Sequence, residues 1–441
     1  MDTIAPGRHR DLSTSETADV AIVGAGAAGL AAARRLAERR PALRIRVVEA
    51  AERPGGRAHT IVPPATGAPL DLGCGWLHGA ESNPWLPIAE ALGLQVDRTP
   101  APWDVQHRDL GFPPEDQAAY EAAAEAFAAR QAAAARDPVD RPLADLLEPG
   151  NPWNPLLDAV SGYVSGAELA DLSLHDSARY RVHGSDWRVA EGYGRAVAAY
   201  GAGQPVTLGT PVTRIDHGGA GPIRLETPRG TLQARAVVVT VSTNVLAEGG
   251  LRFAPALPDK EAAAQDLPLG LANKVFLHLA APEALPADGH LIGNPRSART
   301  GAYHLRPFGR PVIEGYFGGA LARELERAGD AAATAFALDE LAGLLGAAFR
   351  RRASGLTVTR WGQDPSVRGS YAYARPGAAG QRAILAAPVE GRLFFAGEAT
   401  SPDAFTTVRG AYESGLRAAD EVLLAFAGEP PLDPRTGPEQ K

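Results

Sequence analysis

Cysteine is almost absent from this 441-residue chain, where Cys74 stands alone. An intrachain disulfide is therefore impossible, the Cys-rich metal motifs are excluded, and nothing points to an oxidising compartment. Basic charge is also scarce. Lys and Arg total 44 against 51 Asp and Glu, a net −7. No long basic run is present. Both facts argue against a nucleic-acid binder, because phosphate contacts need a basic face. Residues 1–18 are polar and lack the apolar core of a signal segment. The tail after Gly428 is Pro-rich and polar, unlike a membrane anchor. The expectation is a soluble, cytoplasmic protein without a membrane partner, with both tails (1–18 and 429–441) disordered or flexible. Internal repeats are absent too.

What is present is an ordinary globular composition, 45% apolar. At this length a single core is exceeded, so two or three domains are expected. The most informative stretch is Val20-Ala21-Ile22-Val23-Gly24-Ala25-Gly26-Ala27-Ala28-Gly29. An apolar strand runs into glycines at the G-x-G-x-x-G spacing, and an Ala-rich helix follows. Gly24 permits the tight turn, Gly26 admits a pyrophosphate to the backbone, and Gly29 lets the helix pack on the strand. The helix N-terminus offers N–H groups and partial positive charge to the anion. The next strand, Arg44 to Val48, ends in Glu49, 20 residues past Gly29, where a carboxylate meets a ribose hydroxyl. Gly24, Gly26, Ala27, Ala28, Gly29, Glu49 and Ala50 are the expected dinucleotide contacts.

Further along, Arg53-Pro54-Gly55-Gly56-Arg57 is a turn ending in arginine, and Gly73-Cys74-Gly75-Trp76-Leu77-His78-Gly79 is a second Gly-rich bend. Glu115 to Arg136 reads as an Ala/Glu/Arg helix with Tyr120 and Phe127 on one face. Residues 140–190 look helical and loop-rich. Pro205 to Val241 reads as alternating strands. Strands are expected at Val275–Leu279, His290–Ile292, Val312–Phe317, Leu356–Trp361 and Arg392–Ala396, and helices at Ala331–Arg350 and Thr406–Phe426.

Four separated motifs in order carry a specific likeness: the Gly24–Gly29 loop with Glu49, Gly55-Gly56-Arg57, the Gly73–Gly79 bend, and Phe395-Ala396-Gly397-Glu398-Ala399-Thr400. Together they resemble the flavin-dependent amine oxidases: monoamine oxidases, polyamine oxidases and lysine-specific histone demethylases. The likeness runs from about Ala18 to Ala427. It implies an α/β fold, with a Rossmann-like FAD-binding domain (three-layer β/β/α) and a discontinuous α+β substrate domain. The expected division is 19–84, 190–255 and 376–428 for FAD, and 85–189 and 256–375 for substrate. Arg57 would then lie by the pyrophosphate; a surface arginine after a turn is the alternative. Glu398 would lie by the ribityl–phosphate region, or else cap a helix. Gly397, Gly75 and Trp76 line the cofactor, Val212 lies beside the adenine, and Thr407 and Val408 open a helix aimed at the flavin pyrimidine edge.

Lys274 interrupts the apolar stretch Asn273-Lys274-Val275-Phe276-Leu277, and a buried ammonium is costly. In the family, a lysine holds a water against the reactive flavin nitrogen; otherwise Lys274 snorkels from a strand edge. The Arg368–Tyr373 stretch looks most like the polyamine oxidase and demethylase branches. Some relatives carry a flavin-linked cysteine where this chain has Ser370, so FAD is expected to be non-covalent. Tyr371 would form one wall of an aromatic cage for the amine. The opposite wall, a tyrosine in monoamine oxidases, is Thr407 here, and Arg409 replaces a usual histidine. His78 either orients the amine or is a hydrogen-bonded loop histidine. Trp361 and Phe276 read as walls or core, Cys74 as a small buried residue, and Glu81 as a loop acid or a distant anchor for a polyamine.

The implied activity is FAD-dependent oxidation of a primary or secondary amine. A hydride equivalent passes to flavin, the imine hydrolyses to a carbonyl compound, and oxygen becomes hydrogen peroxide. Lys274, Tyr371, Thr407, His78 and Trp361 are the expected catalytic set. A carbon–carbon desaturase or protoporphyrinogen-oxidase-like enzyme would share the FAD motifs without needing Lys274 or Tyr371. An NAD dehydrogenase would leave Gly397-Glu398 unexplained. A non-catalytic flavoprotein scaffold is the rival outside enzymology. Partners are an amine and molecular oxygen, no nucleic acid, with a homo-oligomer left open.

Overall fold

A computed structural model describes residues 16–427. The tails expected to be disordered lie outside these residues, apart from Glu16–Ala18. Those three join the first strand, Glu16–Val23, instead of a tail. Parallel pairing with Gly230–Val239 explains this: Glu16 sits opposite Leu232 and Ala18 opposite Ala234, and the ladder fixes the backbone.

One sheet of eight strands carries the Gly-rich turn at 24–29. Its central strands are 16–23 and 230–239, flanked by 45–48 and 206–207 on one side and by 223–227, 214–216 and 252–254 on the other. Strand 230–239 serves two partners. Its first half pairs antiparallel with 223–227, and its second half pairs parallel with Leu393–Phe395. The run Val237-Val238-Val239 is buried on both faces, as a parallel core strand requires. Helix Ala27–Arg39 packs on the closing helix Val408–Ala425, and the Arg35 guanidinium grips Asp420 at their rim. Chain termini and middle segments thus build one sheet, an α/β arrangement with a Rossmann-like strand–turn–helix at its start.

A second sheet of five strands has the order 289–292, 302–305, 312–318, 272–279, 353–358, and every pairing is antiparallel. Strand Ala272–Leu279 lies inside it, paired on both sides with 312–318 and 353–358, and is nearly wholly buried. The strand expected at Leu356–Trp361 runs instead from Ala353 to Val358. Trp361 lies past its end, held by its own N–H donating to Asn273 Oδ1 at 3.1 Å. The helix expected to reach Arg350 stops at Leu345, where Gly346 adopts φ +88°, and a 3-10 turn follows. The long helix at 114–134 buries Phe127 among Leu143, Leu146 and Leu157, whereas Tyr120 packs edge-on against Phe112 and Trp153. Among the described residues no helix is long and apolar enough to cross a membrane, and no cluster of His, Cys, Asp or Glu is arranged for a metal.

Candidate functional site

The Gly-rich turn has the shape its sequence demands. Gly24 adopts φ +108°, closed to most side chains. A Cβ on Gly29 would lie 1.9 Å from the Gly24 carbonyl oxygen, so helix and turn are in backbone contact there. At Gly26 a Cβ would meet nothing within 4 Å. This open cradle faces a helix start that no side chain caps and whose first turn holds no acid. The N–H groups of Ala27, Ala28 and Gly29 open that helix. An anion fits these residues, and a dinucleotide pyrophosphate is the anion the surrounding groups suit.

Glu49 is buried at the end of strand Ile45–Val48. One carboxylate oxygen accepts the Ala25 N–H at 2.6 Å and the other the Ala51 N–H at 2.8 Å, across Ala50. Burial pushes its pKa up, and these two N–H groups oppose that shift. The Thr210 N–H donates to the Glu49 carbonyl at 2.7 Å and so draws the following loop over the strand end. Val212 of that loop is buried, in one cluster with Val23 and Val48.

Glu398 ties three motifs together. Its Oε1 accepts Arg57 Nη1 at 2.8 Å and the Ala372 N–H at 3.1 Å, and its Oε2 accepts the Thr406 N–H at 3.0 Å. Arg57 Nη1 also donates to the Ser370 carbonyl at 2.6 Å. Gly55 is joined to the Gly-rich turn by its N–H, 2.8 Å from the Ala25 carbonyl, and Gly56 brings its backbone beside Gly26. Arg57, Gly397 and Glu398 line one recess. The arginine at the turn and the acid after the last strand are thus one charge-assisted unit.

Thr407 caps the closing helix. Its hydroxyl accepts the Gly410 N–H at 2.9 Å and donates to the Ala404 carbonyl at 2.6 Å. The hydroxyl thus both donates to and accepts from the backbone. Val408 begins the helix and packs on the Trp85 side of the core. Arg409 pairs with Glu413 and Ser82.

Lys274 is buried, with its strand locked from both directions. Its N–H donates to Thr359 Oγ1 at 2.8 Å, and the Thr359 N–H returns to its carbonyl at 2.9 Å. The ammonium donates to the Asp71 carbonyl at 2.8 Å and meets Glu314 Oε1 at 2.7 Å. A Cβ on Gly75 would lie 3.6 Å from Nζ, which sets the lysine directly against the second Gly-rich bend. Burial alone would lower its pKa; Glu314, Tyr316 and Asp71 override burial and raise it. The snorkelling alternative has no support in this geometry.

Tyr371 lies beside this pair. Its hydroxyl is 2.7 Å from the Tyr316 hydroxyl and donates to the Tyr163 carbonyl at 2.6 Å. Burial, with Tyr316 adding to it, holds the Tyr371 phenol protonated far past its ordinary range. Ser370 spends its hydroxyl on the Ala272 N–H and carbonyl, both at 2.8 Å. Trp361 donates its indole N–H to the Leu72 carbonyl at 3.1 Å and is buried as a wall.

His78 is set apart from Lys274 and Tyr371 by its contacts. It is part-exposed, and its Nδ1 is 2.8 Å from Asp186. Trp76 stands edge-on to Trp103 with centroids 4.7 Å apart and stacks on His304. Arg188 lies over its ring, clamped by Asp97 and Asp288. Burial works against Asp288, but His304 and Arg188 draw its pKa down to about 2. Glu81 is an exposed loop acid accepting the Ser185 N–H at 3.1 Å.

Sequence reasoning passed over Glu314, Tyr316, Asp71 and Arg188. For Glu314 the signal was available: it is a charge inside the apolar strand Val312–Gly318, as Lys274 is inside its own. For Asp71 it was not, since its direct contact with Lys274 is through the main-chain carbonyl and its carboxylate acts on Lys274 only at longer range.

With this geometry in view, comparison with known proteins is specific. The family described as flavin containing amine oxidoreductase matches residues 27–423. Polyamine oxidase 4 of Oryza sativa subsp. japonica is 29% identical over 453 residues, covering 94% of this chain and 91% of the relative. Lysine-specific histone demethylase 1 homolog 2 of the same organism is 31% identical, covering 92% of this chain but 57% of its own length. Among solved structures, wild-type putrescine oxidase bound to putrescine superposes with a TM-score of 0.76, covering 92% of this chain and 99% of that chain at 20% identity. That last likeness speaks for the fold.

Proposed function

The chain belongs to the flavin containing amine oxidoreductases, and from that premise we propose that this FAD-dependent amine oxidase acts on a primary or secondary amine held between Tyr371 and the Lys274 edge of the cofactor. The observation that carries the reading is the Lys274 ammonium. It is buried, anchored by Asp71 and Glu314, and packed against Gly75 in a motif segment.

The chemistry FAD supplies when bound is uptake of a hydride equivalent from the amine α-carbon and its return to oxygen as hydrogen peroxide. The protein's own work is binding, orientation and charge. The N–H groups at Ala27–Gly29 receive the pyrophosphate, Glu49 the ribose hydroxyls, and the Arg57–Glu398 unit the middle of the cofactor. Thr407 fixes the start of the closing helix so that its dipole favours negative charge at that end. Lys274 holds a water and a positive charge beside the redox-active edge. Tyr371, supported by Tyr316, presents a ring face to the substrate nitrogen. An apolar cage favours the neutral amine that oxidation requires. The imine product hydrolyses to a carbonyl compound. No side chain near Tyr371 is needed as a base at carbon.

The 19–84, 190–255 and 376–428 segments would form the FAD domain, and 85–189 with 256–375 the substrate domain. FAD is held without a covalent bond: the hydroxyl of Ser370 is committed to Ala272. Acid precipitation should release yellow flavin into the supernatant. The test of the whole reading is anaerobic stopped-flow bleaching against monoamines, diamines, polyamines and methyl-lysine peptides. Rapid bleaching by one amine class is expected. A fully flavin-loaded protein that no amine bleaches would overturn the assignment, and bleaching by a non-amine carbon donor would turn it toward a desaturase.

A further inference from the structure

Lys274 does not sit alone. Its strand, Ala272–Leu279, pairs antiparallel with Val312–Gly318, and in that register Lys274 faces Tyr316 while Phe276 faces Glu314. Side chains two apart share a face of a sheet, so Glu314 is the diagonal neighbour of Lys274. The carboxylate reaches back along the diagonal to 2.7 Å from Nζ. The two partners differ in exposure, 6% for the lysine side chain and 21% for the glutamate. The glutamate lines a small pocket with Asp71, Trp76, Arg188, His304 and Arg310. The pair therefore has a dry cationic member and a wetter anionic one.

From this geometry we infer that Glu314 is a positioning residue that sets the charge state of Lys274, holding the ammonium protonated against the Asp71 carbonyl and balancing its charge at the flavin edge. The inference rests on the proposed placement of Lys274 beside the cofactor. A buried lysine without a counter-charge gives up its proton far more readily than a free one. The other groups facing it are Tyr316 on the Glu314 strand, Asp71 and Cys74 on the second motif segment, Tyr371 behind Tyr316, and Arg188 and Arg310 across the cavity. Asp71 offers Lys274 its carbonyl while its carboxylate is spent on Thr60 and the Tyr193 and Gly194 N–H groups. The phenols are held protonated by burial, and Arg188 and Arg310 add cationic charge. Glu314 is thus the single carboxylate that reaches Nζ among the described residues.

The working consequence is an amine oxidase whose Lys274 stays cationic throughout the neutral range. Its pKa is raised, so the proton is retained below the ordinary lysine value near 10.5 and lost only above it. Substituting Glu314→Gln keeps the shape and removes the counter-charge. With its nearest counter-charge gone and only the more distant Asp71 carboxylate left, burial pulls the Lys274 pKa down from its wild-type value, and Lys274 deprotonates at lower pH than in wild type.

The experiment measures the midpoint potential of bound flavin and the rate of its reoxidation by oxygen, each from pH 6 to 10. It compares wild type, Glu314→Gln, Lys274→Met and the double variant Lys274→Met/Glu314→Met. The expected result is that the Glu314→Gln potential lies above wild type at low pH. There, unbalanced positive charge favours the reduced cofactor. As pH rises, the potential and the reoxidation rate fall toward those of Lys274→Met. The double variant leaves no orphaned charge and has no Lys274 ammonium to titrate, so relative to wild type it should show none of the pH-dependent fall expected of Glu314→Gln. If Glu314→Gln tracks wild type in parallel across the range, or if the double variant shows the same pH-dependent fall as Glu314→Gln, the inference is overturned. If Lys274→Met itself leaves potential and reoxidation unchanged, the proposed placement of Lys274 fails instead.

Discussion

The nucleotide end and the chemical end of this molecule are built by different means. At the end we propose for the nucleotide, the site is built from short contiguous segments: the turn at 24–29, Glu49 closing the next strand, Arg57 after a Gly-Gly turn, and Glu398 after a buried strand. Its carboxylates are tied mostly by backbone N–H groups. At the chemical end nothing is contiguous. Lys274, Glu314, Asp71 and Tyr371 come from four segments, and their geometry exists only once strands 272–279 and 312–318 are in register. A backbone-built site tolerates little change in shape. A side-chain-built site tolerates changes of shape but not of charge.

The sharpest way to break this contrast is at Gly29. With a Cβ there 1.9 Å from a carbonyl oxygen, Gly29→Val must push helix 27–39 off the turn. Overpacking of this kind costs about 1–3 kcal/mol or more, and the N–H groups no longer converge on the anion. The purified variant should be colourless, as read by the ratio of flavin to protein absorbance. A variant that retained full yellow colour would show that the turn is not the phosphate site.

Next in size is Arg57→Ala. It leaves Glu398 buried with two N–H donors and no cation. Breaking one side of such a buried pair costs about 3–5 kcal/mol, which should appear as FAD affinity weakened by a hundredfold or more, measured by flavin fluorescence on titration. Glu398→Gln in the Arg57→Ala background should recover part of the loss, because the orphaned charge is gone. No recovery would mean that Arg57 contacts the cofactor independently of Glu398.

Lys274→Met addresses the other end. Flavin should remain bound, since the residue touches none of the phosphate-end groups. Its reduction or reoxidation should slow by about tenfold or more, near or above 1.4 kcal/mol in the barrier, in rapid-mixing traces. Wild-type kinetics would reduce Lys274 to a structural lysine and would undo the distinction between the two ends.

This distinction also explains what could be read in advance. Gly24, Gly26, Gly29, Glu49 and Arg57 were legible because each acts within a few residues of a strand or turn signal. Lys274 was legible because an ammonium inside an apolar strand is anomalous, and the same anomaly at Glu314 went unread only because the pairing of the two strands is a long-range fact. The fold class was visible from the strand–turn–helix punctuation and motif order. The limits of strands and helices were less so. The strand ending at Val358 and the helix broken at Gly346 are set by cross-strand bonding and by a positive φ, neither of which periodicity reports. Thr407 shows the opposite case. Its place as a cage wall was implied only by the resemblance, and what the structure adds is that its hydroxyl caps the closing helix, a local bond that short polar side chains commonly make.

The finest test concerns the hydroxyl of Tyr371. Tyr371→Phe keeps the ring face that the cage requires and removes a group bonded to the Tyr163 carbonyl and the Tyr316 hydroxyl. Losing these two hydrogen bonds and leaving the buried Tyr163 carbonyl unmet costs about 1–3 kcal/mol, so the melting temperature should drop by a few degrees. The rate of anaerobic bleaching should change by only about twofold, because the ring supplies orientation and the hydroxyl only holds the ring. A loss of about a hundredfold, about 2.7 kcal/mol in the barrier, would contradict this. It would mean that the Tyr371–Tyr316 hydroxyl pair moves a proton during turnover, and that this part of the side-chain-built site depends on an O–H group instead of on a formal charge.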